Sequence, residues 1–219
     1  SPLGTGASMG IHESQSRFFE NIIGRSEAFI SLIFPKIKEL FPEQFENVSA
    51  HDFYLAVNQA EPSLIRTEAD ELTYSMHIMV RYEIEKRLMD GSLSTKDLPN
   101  EWNRLYKEYL GIDVPCDSMG CLQDSHWSGG ALGYFPSYSL GSAYGAQFLH
   151  KMKQDIDIDK LVSENRIDEV TAWLTEKIHK YGMLLTPAQL IENACGEEFN
   201  ADYYIEYLTE KYNKIYDLK

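Results

Sequence analysis

The sequence predicts an all-α protein, a multi-helix, bundle-like domain. Three observations carry that class. Apolar residues recur at helical spacing over long windows, as Leu72, Met76, Met79, Val80, Ile84 and Leu88 do. Capping residues and Gly or Pro stops punctuate the chain at helix-length intervals. No stretch of any length alternates apolar and polar residues as a half-buried strand would. With no repeat period and no low-complexity tract, residues 1–219 read as a single helical domain without an internal linker.

Residues 1–8 form a Gly/Pro/Ser loop, with no Met at its start, that reads as the approach to a helix within a longer chain. The first helix is expected from Met9 to Phe34, bent near Gly24 and stopped by Pro35, where proline removes a helical donor. Lys36–Phe41 makes a short helical turn. Ser49 is the N-cap of the next helix, with Asp52 in the capping-box position, and that helix runs from Ala50 to about Ala60. A long helix follows over about Glu68–Met89, its polar face carrying Asp70, Tyr74, His77, Arg81 and Glu85. Ser94 or Thr95 and Asn100 cap two further pieces, the second being Glu101–Leu110, closed by Gly111.

Residues 112–134 break the pattern with Pro115 and several glycines set among Asp, Ser, Cys, His and Trp. Such long irregular stretches are functional or disordered, and the aromatic content argues against disorder. A helix resumes over Pro136–Asp155, whose small residues Ser139, Gly141, Ser142, Ala143, Gly145 and Ala146 permit close packing. The remaining helices are Asp157–Ser163, Ile167–Tyr181, Pro187–Ala194 and Ala201–Leu218, with Thr186-Pro187 as an N-cap followed by proline and Gly182 and Gly196 as stops.

The chain has 219 residues, 43% hydrophobic and 25% charged, an ordinary globular mixture. Its net charge of -14 should repel nucleic acid and anionic membranes. No apolar run is long enough to span a bilayer and no signal peptide is present, so a cytoplasmic location is expected. Three cysteines give no disulfide framework, and Cys116 and Cys121 lack the second pair of a zinc knuckle, so all three read as free thiols.

Two stretches carry candidate chemistry. In Gly10-Ile11-His12-Glu13-Ser14-Gln15-Ser16-Arg17, Glu13 is either a metal ligand or a carboxylate favoured by the helix dipole. Helical spacing puts Glu13, Arg17, Glu20 and Asn21 on or near one face. In Gly120-Cys121-Leu122-Gln123-Asp124-Ser125-His126-Trp127 and the Gly133-Tyr134-Phe135-Pro136-Ser137-Tyr138 that follows, His126, Tyr134 and Tyr138 either donate hydrogen bonds to a developing oxyanion or simply pack. Asp124 orients or caps. Arg66 either binds a carboxylate or makes a structural ion pair, and Asp70 and His77 read as structural polar contacts. The chain holds no H-E-x-x-H, no Gly-rich phosphate loop and no G-x-S-x-G.

Together these motifs resemble the M32 family of metallocarboxypeptidases, of the thermostable carboxypeptidase 1 type. The family pattern is D-x-R-x-T, H-E-x-x-H, H-E-S/T-Q, I/N-R-x-x-A/S-D and G-x-x-Q-D-x-H-W. The last three are matched in order by His12-Glu13-Ser14-Gln15, Ile65-Arg66-Thr67-Glu68-Ala69-Asp70 and Gly120–Trp127. The entry Pro2-Leu3-Gly4 and Gly133-Tyr134-Phe135-Pro136 are similar to the family as well.

The resemblance implies the C-terminal part of a zincin-like fold. It implies an activity that releases residues from the free C-terminus of peptides by metal-activated water. It makes Glu13 the third protein ligand of Zn2+, or of Co2+. It makes His126, Tyr134 and Tyr138 the oxyanion stabilisers, Arg66 and Gln123 the substrate-binding residues, and His12, Asp70 and Asp124 the groups that support them. It also implies a homodimeric parent. The first two signatures are missing from this sequence, and with them two histidine ligands and the general base. A zinc site needs about three protein ligands, so the chain alone is expected to be inactive and to hold no metal. A non-catalytic helical interaction domain, or a peptidyl-dipeptidase or oligopeptidase, is the alternative.

Overall fold

In the computed structural model, which describes residues 3–218, ten α-helices and no strand are found among the described residues. Ser1 and Pro2 of the expected entry loop lie outside the described residues. No helix among the described residues is long and apolar enough to cross a membrane. The chain resolves into two compact units, residues 1–58 with 140–219, and residues 59–139.

In the first unit, α1 (Met9–Arg17) is capped by Ser8, whose Oγ accepts the Ile11 N–H. It passes into a π-helical segment, Phe18–Ile23, closed by the Gly24 N–H on the Phe19 carbonyl at 2.8 Å. The expected single helix to Phe34 is therefore divided, and α2 (Glu27–Leu40) starts afresh on the Ser26 cap. Pro35 does not stop α2. Its ring removes a single donor in the last two turns, and Ile30 and Phe34 still bury on the same face. Arg17 and Asn21, expected on the polar face, are buried: Arg17 donates to Glu20 Oε2 at 2.8 Å and to Ser142 Oγ at 3.4 Å.

α3 (Ala50–Val57) carries the expected capping box of Ser49 and Asp52. The later helices α7 (Ile158–Ser163), α8 (Ile167–Lys177), α9 (Pro187–Cys195) and α10 (Asp202–Tyr216) follow the sequence reading within a few residues, except that Ile178 ends α8 before a 3-10 turn, His179–Tyr181. Their shared core includes Phe18, Phe148, Met152, Leu174, Leu190 and Ile191.

In the second unit, a 3-10 turn at Arg66–Glu68 precedes α4 (Tyr74–Met89). α4 starts later than the periodicity predicts because Asp70 captures the next turn: its Oδ1 accepts the Thr73 N–H at 2.9 Å and its Oδ2 the Thr73 hydroxyl at 2.6 Å. α5 (Leu98–Leu110) packs on α4 and ends at Gly111 with φ +74°, a left-handed cap that glycine adopts without strain. Its start lies before Asn100, with Pro99 in the first turn where no helical donor is needed. Val80, Ile84, Trp102, Leu105 and Tyr106 form the core between these two helices. The 112–134 stretch is irregular apart from a 3-10 turn at Asp117–Met119. It leads into α6 (Pro136–Asp155), whose residues from Leu140 onward belong to the first unit.

Candidate active site

The two candidate stretches fall in different units. His12 and Glu13 are on α1 in the first; Arg66, Asp70, Gln123, Asp124, His126, Tyr134 and Tyr138 are in the second.

On α1, Glu13 is half-buried and its Oε2 accepts the Ser16 hydroxyl at 2.9 Å. α6 fixes this turn from behind. A Cβ at Gly141 would lie 2.5 Å from Glu13 Cβ and 2.8 Å from the Glu13 carbonyl carbon, so only glycine permits the approach. His12 is exposed, and its Nε2 accepts the Gly6 N–H at 3.1 Å, tying the entry loop to the helix. Gln15 Nε2 donates to Ser14 Oγ at 2.9 Å, and Gln15 Oε1 pairs with His179 Nε2 at 2.8 Å.

In the second unit, Asp124 is the centre of a buried network. Its Oδ1 accepts from Arg66 Nε at 3.0 Å and Nη2 at 2.7 Å, while its Oδ2 lies 2.7 Å from Arg81 Nε and 2.5 Å from Arg81 Nη2. Burial works to raise the Asp124 pKa, but the hydrogen bond from Arg66 and the charge of Arg81 outweigh it and hold the carboxyl below its ordinary value. Arg66 Nη1 donates to the Tyr74 hydroxyl at 2.9 Å, and the Tyr138 ring lies 4.7 Å from the guanidinium carbon.

Gln123, which the resemblance names as substrate-binding, is hydrogen-bonded within the chain. Its Oε1 accepts the Arg66 N–H at 2.8 Å, and its Nε2 donates to the Leu64 carbonyl at 3.0 Å and the Gly120 carbonyl at 3.1 Å. The amide matches main-chain donors and acceptors on two loops, and so locks the Arg66 turn onto the 120–124 segment.

His126 Nε2 sits 3.0 Å from the Tyr138 hydroxyl, and His126 Nδ1 sits 3.9 Å from Asp124 Oδ1. Its ring lies on Phe135 with centroids 4.3 Å apart, and Tyr134 flanks both His126 and Tyr138 at 5.5 and 5.3 Å. Burial, then the positive charge of Arg66, lowers the His126 pKa, so the imidazole is neutral near pH 7. A neutral imidazole and two phenols in contact form a group of hydrogen-bond donors suited to an oxygen that gains charge.

Asp70 does not join this network. Besides Thr73, its Oδ2 accepts the Glu61 N–H at 3.2 Å. His77 is fully buried, with Nδ1 3.1 Å from the Tyr106 hydroxyl and no hydrogen-bond partner at Nε2 among the described residues. Burial, and then Arg81, pushes its pKa down to about 3. The sequence reading placed Arg81 on the polar face of a helix and assigned it no role. Its signal was present: Tyr74, His77, Arg81 and Glu85 recur at helical spacing, and all four are buried.

The M32 resemblance implies a metal. Among the described residues no three His, Cys, Asp or Glu side chains gather into a group that holds an ion. The chain's own residues therefore do not fit a catalytic metal by themselves, and Glu13 offers one carboxylate.

Comparison with known proteins agrees with the motif pattern. A family model described as Carboxypeptidase Taq (M32) metallopeptidase matches residues 1–212. Carboxypeptidase 1 of Bacillus subtilis is 49% identical over 98% of this chain and 43% of its own length. Thermostable carboxypeptidase 1 of Pyrococcus furiosus is 44% identical over 96% of this chain and 42% of its own length. Among solved structures, an M32 carboxypeptidase from Deinococcus radiodurans superposes with a TM-score of 0.94 at 39% identity, covering 99% of this chain and 44% of that one. The chain thus spans under half the length of the curated relatives it matches.

Proposed function

We propose, from the premise that this chain belongs to the M32 carboxypeptidase family, that it forms the substrate-binding part of a metallocarboxypeptidase removing residues from the free C-terminus of peptides. One observation carries the reading. Arg66 is held at both ends, its main-chain N–H by Gln123 and its guanidinium by Asp124, beside a neutral His126 and the Tyr138 hydroxyl. A fixed guanidinium next to a cluster of neutral donors suits a ligand with a carboxylate near a reacting carbonyl.

In this reading Arg66 receives the terminal carboxylate of the peptide. His126, Tyr134 and Tyr138 donate to the oxygen of the scissile carbonyl as it gains charge. Gln123 and Asp124 hold Arg66, and His12 and Asp70 stabilise the loops on which these groups depend. Glu13 is one ligand of a zinc ion, with cobalt as the substitute. Its histidine partners and the general base would come from an H-E-x-x-H segment that this sequence does not contain, so the chain alone is inactive. We take residues 1–219 as a single helical domain of a cytoplasmic, homodimeric peptidase with no nucleic-acid or membrane partner.

Product analysis tests this. The complete peptidase should release single residues from a peptide with a free C-terminus and leave the corresponding C-terminal amide intact. Internal cleavage of the amide would instead support an oligopeptidase.

A further inference from the structure

Arg66 and Arg81 meet on one carboxylate, Asp124, each on its own oxygen. Guanidinium groups stay protonated in proteins, and Asp124 is the sole carboxylate within ion-pair distance of either arginine among the described residues. The three groups therefore carry one net positive charge. Had Asp124 faced Arg66 alone, the pair would be neutral and Arg66 would have little charge left for a ligand.

The two arginines differ in reach. Arg81 is 0% exposed, with Nη1 on the His77 carbonyl at 2.7 Å and its guanidinium 4.6 Å from the Trp102 ring. Arg66 keeps 7% of its side-chain surface open and engages Nε and Nη2 with Asp124 and Nη1 with Tyr74. That leaves one N–H on each terminal nitrogen, the two donors a bidentate carboxylate takes. Of the other ionisable groups nearby, His77 is neutral, and the Glu85 carboxylate accepts from the Gly133 N–H and from Trp127 Nε1 and forms no ion pair with either arginine.

We propose that Arg81 is a positioning residue for carboxylate recognition: by holding the second oxygen of Asp124 it leaves Arg66 charged toward the substrate's terminal carboxylate. The inference rests on the reading that Arg66 receives that carboxylate.

The test compares Kd for a peptide with a free C-terminus and for its amide, measured at equilibrium by fluorescence anisotropy on the metal-stripped complete peptidase. The wild type should prefer the acid by about tenfold or more. Arg81→Met should bring that preference close to one, and adding Asp124→Asn to it should restore it, because Arg66 then regains its unshared charge. Arg81→Lys, which keeps the charge and is the variant to rely on should Arg81→Met lose its near-UV circular dichroism, should retain the preference. An Arg81→Met protein with the full wild-type preference, or a folded Arg81→Lys protein without it, overturns the proposal. A double variant that fails to regain the preference also contradicts the charge argument and leaves a purely structural role for Arg81. If Arg66→Met also leaves the acid preference intact, or the wild type has none, the reading of Arg66 itself fails, a result distinct from failure at Arg81.

Discussion

Gly141 stands so close to Glu13 that a side chain at position 141 would place its Cβ 2.5 Å from the Glu13 Cβ. The turn of α1 that carries the candidate metal ligand is thus set by the backbone of α6, through the absence of a methyl group. Gly141→Ala should force the helices apart and lower stability by about 1–3 kcal/mol, as overpacking does. Urea unfolding of the chain measures this, and a wild-type midpoint would show that the contact relaxes freely.

Asp124 is expected to matter for folding as well as recognition. Asp124→Ala leaves Arg66 and Arg81 as two buried like charges with no carboxylate between them, a loss on the order of 3–5 kcal/mol. The exposed pair Lys36–Glu39, with both side chains about two-thirds open, provides the control. Lys36→Ala should change stability by less than about 1 kcal/mol. Thermal melts of the two variants side by side check the contrast.

The pH dependence follows from His77, whose pKa falls from its ordinary value of 6.5 to about 3 in the folded chain. Between those values the unfolded chain binds a proton that the folded chain refuses. Stability should therefore fall as pH drops below about 6.5, with a slope near 1.4 kcal/mol per pH unit for this one group, flattening near its folded pKa. His126 and His179 are shifted the same way, so the difference between wild type and His77→Gln isolates the His77 share. Parallel stability-against-pH curves for the two proteins would contradict the assignment.

At the start of α3, Ser49 Oγ accepts the Asp52 N–H at 3.1 Å and Asp52 Oδ2 accepts the Ser49 N–H at 2.9 Å. Ser49→Ala should cost about 1 kcal/mol, and Ser49→Gly less. Denaturant midpoints of the two variants order them.

That cap, the Thr186-Pro187 start of α9, and Gly111 and Gly196 at helix ends were all legible in the sequence, because each depends on a few adjacent residues. The boundaries that were not legible depend on more distant or competing contacts. Pro35 reads as a stop, yet α2 runs on to Leu40 with Ile30 and Phe34 buried. The long helix loses its first turn because the Asp70 carboxylate binds Thr73.

The site divides in the same way. The signature motifs exposed Arg66, Gln123, Asp124 and His126. Arg81, 43 residues from Asp124, lies in no signature and looked like one more polar residue on a helix. The resemblance names Gln123 as substrate-binding; which main-chain groups its amide satisfies depends on loops distant in sequence, and only the structure shows them.

In the proposed function Glu13 is a metal ligand of a carboxypeptidase to which this chain contributes the substrate side. Metal content and turnover of the complete peptidase with Glu13→Ala test it most directly, read by elemental analysis after dialysis alongside the release of C-terminal residues. Loss of bound metal together with loss of activity is expected, while the variant keeps its helical circular dichroism. A Glu13→Ala protein that retains one zinc per chain and normal turnover would contradict it.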